Sequence, residues 1–190
     1  GGLRARGALE FEALSWAGDL EQADVVFPDG EARLIQPASL VLGPALQRAS
    51  PICLRTAEDA RACVEGEHRP SPQSWRVIYS AQDWPLQRLL RTLFGWREFD
   101  GRLQASGWAE QVPGKAWVGG STLLIHEPAL QIPRNKFRTE RVQLGSSRLD
   151  VFVEPDAMRA SLDVQVDETT DISGEAQADR RADLLASPLQ

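Results

Sequence analysis

Apolar and polar residues alternate one by one in parts of this chain, and this period-two pattern constrains the fold more than any other feature. Residues 162–167 read Leu-Asp-Val-Gln-Val-Asp, which is the pattern of a half-buried β-strand. Residues 25–35 place Pro-Asp-Gly between two short apolar runs, which predicts a β-hairpin. Similar runs between turn residues recur along the chain. We therefore expect about eight to ten strands, mainly antiparallel.

Two segments carry the signals of a helix. Thr56 stands before two acidic residues, as an N-cap residue does before a first helical turn, and predicts a helix over about 57–65. Asp83 precedes Pro85 and a leucine-rich stripe at helical spacing, which predicts a second helix over about 84–94. Strands punctuated by helices, without strict alternation, predict an α+β fold.

A length of 190 residues predicts one compact domain, over residues 1–168, followed by a tail. A polar, proline-bearing loop near 66–74 is a candidate boundary between two lobes. Residues 150–190 hold ten acidic residues and three Arg, so most of the net charge of −6 lies there. We expect residues 169–190 to form an acidic, flexible C-terminal tail.

The two cysteines, Cys53 and Cys63, are too few for a structural zinc site of four cysteines. We interpret them as small buried apolar residues. A disulfide remains the open alternative, and it would imply an oxidising compartment.

Catalytic signatures are scarce. The chain has no phosphate-binding loop, no dinucleotide-binding glycine motif, no zinc-protease motif and only two histidines. Asp150 and Glu154 have the even spacing that puts two carboxylates on one face of a strand, which gives a metal-dependent hydrolase or nuclease as the alternative function. We predict no catalytic residue, no metal and no cofactor, and favour a protein that is not an enzyme.

Tryptophans and a basic stretch supply the positive signal for binding. Tryptophan is enriched at contact surfaces, and five of the six lie within residues 75–117. The candidate binding residues are Trp96, Trp108, Trp117, Arg134, Lys136, Arg138 and Arg141. They predict an interaction or assembly module, an adaptor or accessory protein, that binds a protein partner.

A carbohydrate- or nucleic-acid-binding module is a further alternative, but a pI of about 5.0 argues against nucleic acid.

No run approaches the roughly 20 apolar residues that cross a bilayer, so we expect no membrane span. The 19 Arg against 2 Lys resemble a bacterial base composition rather than a functional signal. Residues 1–7 lack a signal-peptide pattern. A cytoplasmic and an exported domain are both compatible with the sequence. The sequence does not predict the oligomeric state.

Overall fold

The architecture comes from a computed structural model that describes residues 2–10, 14–27, 30–87, 90–91, 99–135, 138–166 and 169–179. Every element with assigned bounds in these ranges is a β-strand. They are β1 Gly2–Glu10, β2 Ser15–Phe27, β3 Gly30–Leu34, β4 Ala38–Leu42, β5 Gln47–Thr56, β6 Arg61–Arg69, β7 Ser74–Pro85, β8 Phe99–Gln111, β9 Val118–Asn135, β10 Arg138–Gln143, β11 Ser147–Val153, β12 Ala157–Gln165 and β13 Asp171–Asp179.

The strands form one antiparallel sheet in the order β1-β2-β3-β5-β6-β7-β8-β9-β11-β12-β13. Strand β4 continues the position of β3, because both lie between β2 and β5 at different heights. In the same way β10 and β11 pair with different halves of the long strand β9. Apart from β3 with β4 and β10 with β11, neighbours in sequence are neighbours in the sheet. The predicted hairpin at 25–35 is confirmed by the pairs from Val25–Ala32 to Phe27–Gly30.

The predicted α+β class is wrong, and the chain is nearly all β. The predicted helix over 57–65 is instead a tight turn followed by β6. Thr56 makes cap-like hydrogen bonds there: its hydroxyl accepts the Glu58 N–H (3.3 Å) and its carbonyl accepts the Asp59 N–H (3.1 Å). Asp59 has a φ of 63°, so the backbone reverses instead of continuing as a helix.

The second predicted helix, 84–94, is also wrong where it should begin. Trp84 and Pro85 end β7, beyond an irregularity at Asp83, whose φ is 54°. Residues 86, 87, 90 and 91 have helical backbone, and the other residues of the prediction lie outside the described ranges. The described part of the chain contains no complete helix.

The two predicted boundaries fall on paired strands. Residues 66–74 form the end of β6, a turn and the start of β7, and the β6–β7 pairing reaches from Arg61–Gln82 to Arg69–Ser74 without a break. The first part of the predicted tail is β13, which pairs with all of β12. Residues 180–190 lie outside the described ranges.

Residues that pair across neighbouring strands project from the same face of the sheet. Rows of paired residues therefore show that the two faces differ in character. One row crosses nine strands and is apolar throughout: Leu34, Leu54, Ala62, Ala81, Ala105, Leu123, Leu149, Leu162 and Gly174. We call this side the apolar face. On the other side, the polar face, one row reads Arg48, Glu67, Arg76 and Glu110.

The sheet curves so that the apolar face is on the inside. Phe27 on β2 and Trp84 on β7 meet edge to face with their ring centroids 6.2 Å apart. These strands are four positions apart, about 19 Å in a flat sheet at about 4.8 Å per step. The rings pack with Ala60, Leu103 and Ile125, so one end of the sheet closes around a small core. A second cluster, of Leu20, Ala23 and Ala38 with their apolar neighbours, lies further along the same face.

A disulfide joins Cys53 and Cys63, so the interpretation of these residues as two small buried apolar side chains is wrong, and the disulfide left open as the alternative is formed. The two are direct cross-strand partners on β5 and β6, and their Cα atoms are 4.1 Å apart. The bond links the two strands of the β5–β6 hairpin, whose turn lies in the first predicted helix.

Candidate functional site

The apolar face is largely uncovered. Leu42, Val64 and Leu162 project from it with 52%, 44% and 43% of their surface exposed. In the described part of the chain no second sheet or complete helix packs over this face, and no large side chain is fully buried. Apolar surface of this extent is what a soluble protein ordinarily hides, and where it remains open it marks a binding site.

A hollow of about 370 Å³ lies on this face between β4 and β7. Its lining includes Leu40, Leu42, Ile52, Val64 and Val77. The volume lies within the range of sites for small ligands.

Hydrogen-bonded side chains stand along one end of the hollow, and Arg48, Glu65 and Glu67, which belong to the polar face, also contribute to its lining. The indole N–H of Trp75 donates to Gln111 Oε1 at 2.8 Å. Next to it, His68 Nδ1 lies 3.3 Å from Gln47 Oε1. These side chains satisfy one another, so the hollow has an apolar floor and a polar rim.

A polar contact also crosses the centre of the apolar face. Tyr79 lies over Gly107 and its hydroxyl donates to Ser121 Oγ at 2.6 Å. A Cβ at position 107 would stand 2.6 Å from the Tyr79 oxygen, so only glycine leaves room for the ring. The aromatic ring therefore fills the gap that glycine leaves in the sheet.

The residues predicted for binding are spread over the sheet. Trp108 is on the polar face of β8 and 40% exposed, whereas Trp117 is half-buried in the connection before β9. Trp96 and Lys136 lie outside the described ranges. Arg134 and Arg138 are described by their backbone alone, in β9 and β10.

The predicted basic residue Arg141 is distant from the tryptophan. Trp108 pairs with Gly120 and Arg141 pairs with Gln131, both on β9. The eleven residue steps from Gly120 to Gln131 correspond to roughly 35 Å along the strand. Arg141 instead lies 3.4 Å from Asp100 Oδ2. The structure thus does not gather Trp108 and Arg141 into one surface.

Trp108 has an aromatic neighbour that was not predicted. Phe152, 49% exposed, stands across Gly120 from it, in the row Ile78, Trp108, Gly120, Phe152. A Cβ on Gly120 would lie 3.1 Å from Phe152 and 3.3 Å from the Trp108 indole nitrogen. Glycine therefore keeps open a cleft of about 420 Å³ between the two rings.

The strand carboxylates are held by cations. Arg148 Nε donates to Asp150 Oδ2 at 2.6 Å, and the hydroxyl of Thr122 donates to Oδ1. The bond from Arg148, followed by that from Thr122, lowers the pKa of Asp150 below its usual value. Glu154 follows β11 rather than lying in it, and pairs with Arg159 at 3.1 Å. These contacts use the carboxylates for structure.

A charge cluster occupies the polar face at β5–β6. Glu67 lies 2.7 Å from both Arg48 and Arg69. The hydrogen bond from Arg69, and then that from Arg48, lowers the Glu67 pKa. Each charge of this cluster therefore has a partner of opposite sign.

Comparison with known proteins adds no functional information: no protein-family model, no curated protein and no solved structure matches this chain. Within the described ranges, no group of three or more His, Cys, Asp or Glu residues could hold a metal ion. None of the helical residues described belongs to a helix long and apolar enough to cross a membrane. The geometry of the two faces therefore carries the functional argument.

Proposed function

We propose that this domain is a non-enzymatic binding module that takes an extended apolar ligand, of the hydrocarbon-chain type, on its apolar face. The observation that carries this is the uncovered apolar row through nine strands, with the hollow between β4 and β7. Such a surface gains about 0.8 kcal/mol for each methylene group it removes from water.

The chemistry of the hollow supports an apolar chain over a polar ligand. The positions of the nine-strand row carry no charged side chain, and the polar groups at the rim of the hollow already pair with each other. A polar ligand lying on the floor would lose its hydration without gaining hydrogen bonds. A hydrocarbon chain loses nothing of this kind.

The disulfide supports a compartment for this function. Disulfides persist where thiols are kept oxidised, and Cys53 and Cys63 are bonded. We therefore place the module in an oxidising compartment.

A charge placed in the hollow tests the proposal. Val64→Glu puts a carboxylate on the floor at a site that is 44% exposed, so the fold is expected to tolerate it. We expect this variant to bind a fatty acid brominated along its chain at least about tenfold more weakly, since burying the charge costs more than one kcal/mol. Quenching of Trp75 fluorescence by the bromine atoms measures the binding.

Val41→Glu is the matched control. Val41 lies on β4, a strand that also borders the hollow, and pairs with Arg48, on the polar face. This variant is expected to bind the brominated fatty acid as the wild type does. Equal binding by both variants, or no quenching in the wild type, would refute the proposal.

A protein partner on the polar face is a second candidate function, favoured by one observation. Trp108 and Phe152 are both exposed and flank an open cleft above Gly120. Exposed aromatic pairs of this kind are frequent at the centres of protein interfaces. This retains the tryptophan part of the predicted surface and omits the arginine part.

A photo-crosslinking amino acid in place of Phe152 tests this second function. A single adduct of discrete mass is expected, and it should disappear when Trp108→Ala is added. The same amino acid in place of Met158, which lies exposed on the apolar face, is the control. Adducts at 158 but not at 152 would count against a protein partner on the polar face.

A further inference from the structure

The two outermost strands, β1 and β13, are the two open edges of the sheet. Each pairs with one neighbour among the described residues, and all nine residues of each strand are exposed. A strand in this position presents a row of free N–H and C=O groups, which is a template for another strand.

The outer strands lack two of the residues that most often protect an edge strand against pairing. Neither contains proline or lysine. Strand β13 pairs with β12 without irregularity over nine residues, and β1 has one register shift, between Arg4 and Ala5. Leu3 and Ile172 project from the apolar face with 76% and 56% of their surface exposed, and an added strand would cover them.

The polar sides of the two outer strands carry opposite charges. On β1 this side presents Arg4 and Arg6, followed by one acid at the strand end. On β13 it presents Asp171, Glu175 and Asp179. A β1–β13 contact thus places cations beside anions, whereas β13–β13 places acids together and β1–β1 places the two arginines of each copy together.

The strand directions allow this contact. Every step from β1 to β13 is antiparallel, and ten steps separate them, so the two outer strands run in the same direction. A second copy placed beside the first in the same orientation pairs its β1 with β13 in parallel. Its apolar face then lies on the same side.

We propose that copies of this chain associate head to tail, with β1 of one copy pairing with β13 of the next, so that the sheet and its apolar face continue from copy to copy. The contact is heterologous, since two different strands meet, and it leaves a free edge at each end of the assembly. This inference does not depend on any ligand of the apolar face.

A charge-swap experiment tests the pairing. The variant R4E/R6E makes both edges acidic, and the variant D171K/E175K makes both edges basic. Each alone is expected to remain monomeric by size-exclusion chromatography with light scattering, with its self-association constant weakened at least about tenfold. An equimolar mixture is expected to recover association, because each variant supplies the edge that the other lacks.

The wild type is expected to associate with increasing concentration, and more weakly at high salt. The control R61E/R102E makes the same change of net charge on the inner strands β6 and β8 and should associate like the wild type. Circular dichroism checks that each variant is folded. A wild type that stays monomeric at its solubility limit, or a mixture that fails to associate, would overturn the proposal.

Discussion

Trp84 holds together the closed end of the sheet. Its ring is 8% exposed and packs edge to face on Phe27, beside Ala60 and Leu103. Its indole nitrogen is buried and has no hydrogen-bond partner among the described residues. The ring thus acts through its apolar surface.

Two substitutions of Trp84 are expected to distinguish the contribution of the aromatic ring to stability from that of the indole N–H. Trp84→Ala should lower the free energy of unfolding by about 3–5 kcal/mol, because it leaves a cavity where strands four positions apart meet. Trp84→Phe should cost less than half as much, since it keeps a ring and removes an unsatisfied N–H. Urea unfolding of both variants measures this, and an equal loss would show that the indole N–H is needed.

Asp150 gives a stability that depends on pH. Its pKa is lowered in the fold by Arg148 and Thr122, so its contribution is full above the unfolded-state pKa of about 3.9 and is lost as pH falls through the folded value. Asp150→Asn is expected to cost about 1–2 kcal/mol at neutral pH. In urea melts the difference from the wild type should shrink below about pH 4 and vanish in stronger acid; a constant difference would contradict the role of its charge.

At the scale of elements, the turn at 56–60 shows why the first helix was mispredicted. Side-chain capping by Thr56 and acids just after it are shared by helix starts and by tight turns, since both satisfy free backbone N–H groups. The decisive signal followed in β6, where Ala62, Val64, Gly66 and His68 face one way and charged residues and Cys63 alternate with them. That period of two identifies a strand without a structure.

The disulfide between β5 and β6 is an element-scale constraint that is expected to stabilise this hairpin. It closes a short loop, with a sequence separation of 10 residues. The chain-entropy model then gives about 2.5–3 kcal/mol. The double variant Cys53→Ala with Cys63→Ala should lose this much in urea unfolding and become insensitive to reductant. A wild type unaffected by reductant would contradict it.

At the scale of the whole molecule, the sequence predicted antiparallel strands and the hairpin at 25–35. It did not predict the number of strands, thirteen in the described part of the chain rather than eight to ten, or how they assemble. Alternation assigns each residue to one of two faces, yet which strands are neighbours depends on pairing that no local pattern encodes. The apolar face was missed for this reason, because Leu54, Leu123 and Leu162 become one row only after the register is known. Tryptophan is a recognisable contact residue in the sequence alone, whereas the row of small and branched side chains becomes a surface only once the strands are paired.

The meander order has a mechanical consequence. Because the sheet order follows the chain order and the outer strands lie at opposite edges, tension applied between β1 and β13 acts across the strands rather than along them. Hydrogen bonds would then break one after another, as in unzipping, instead of shearing together. The sheet should stretch at low force in many small steps, while the clasped pair β5–β6 cannot separate fully under the same load.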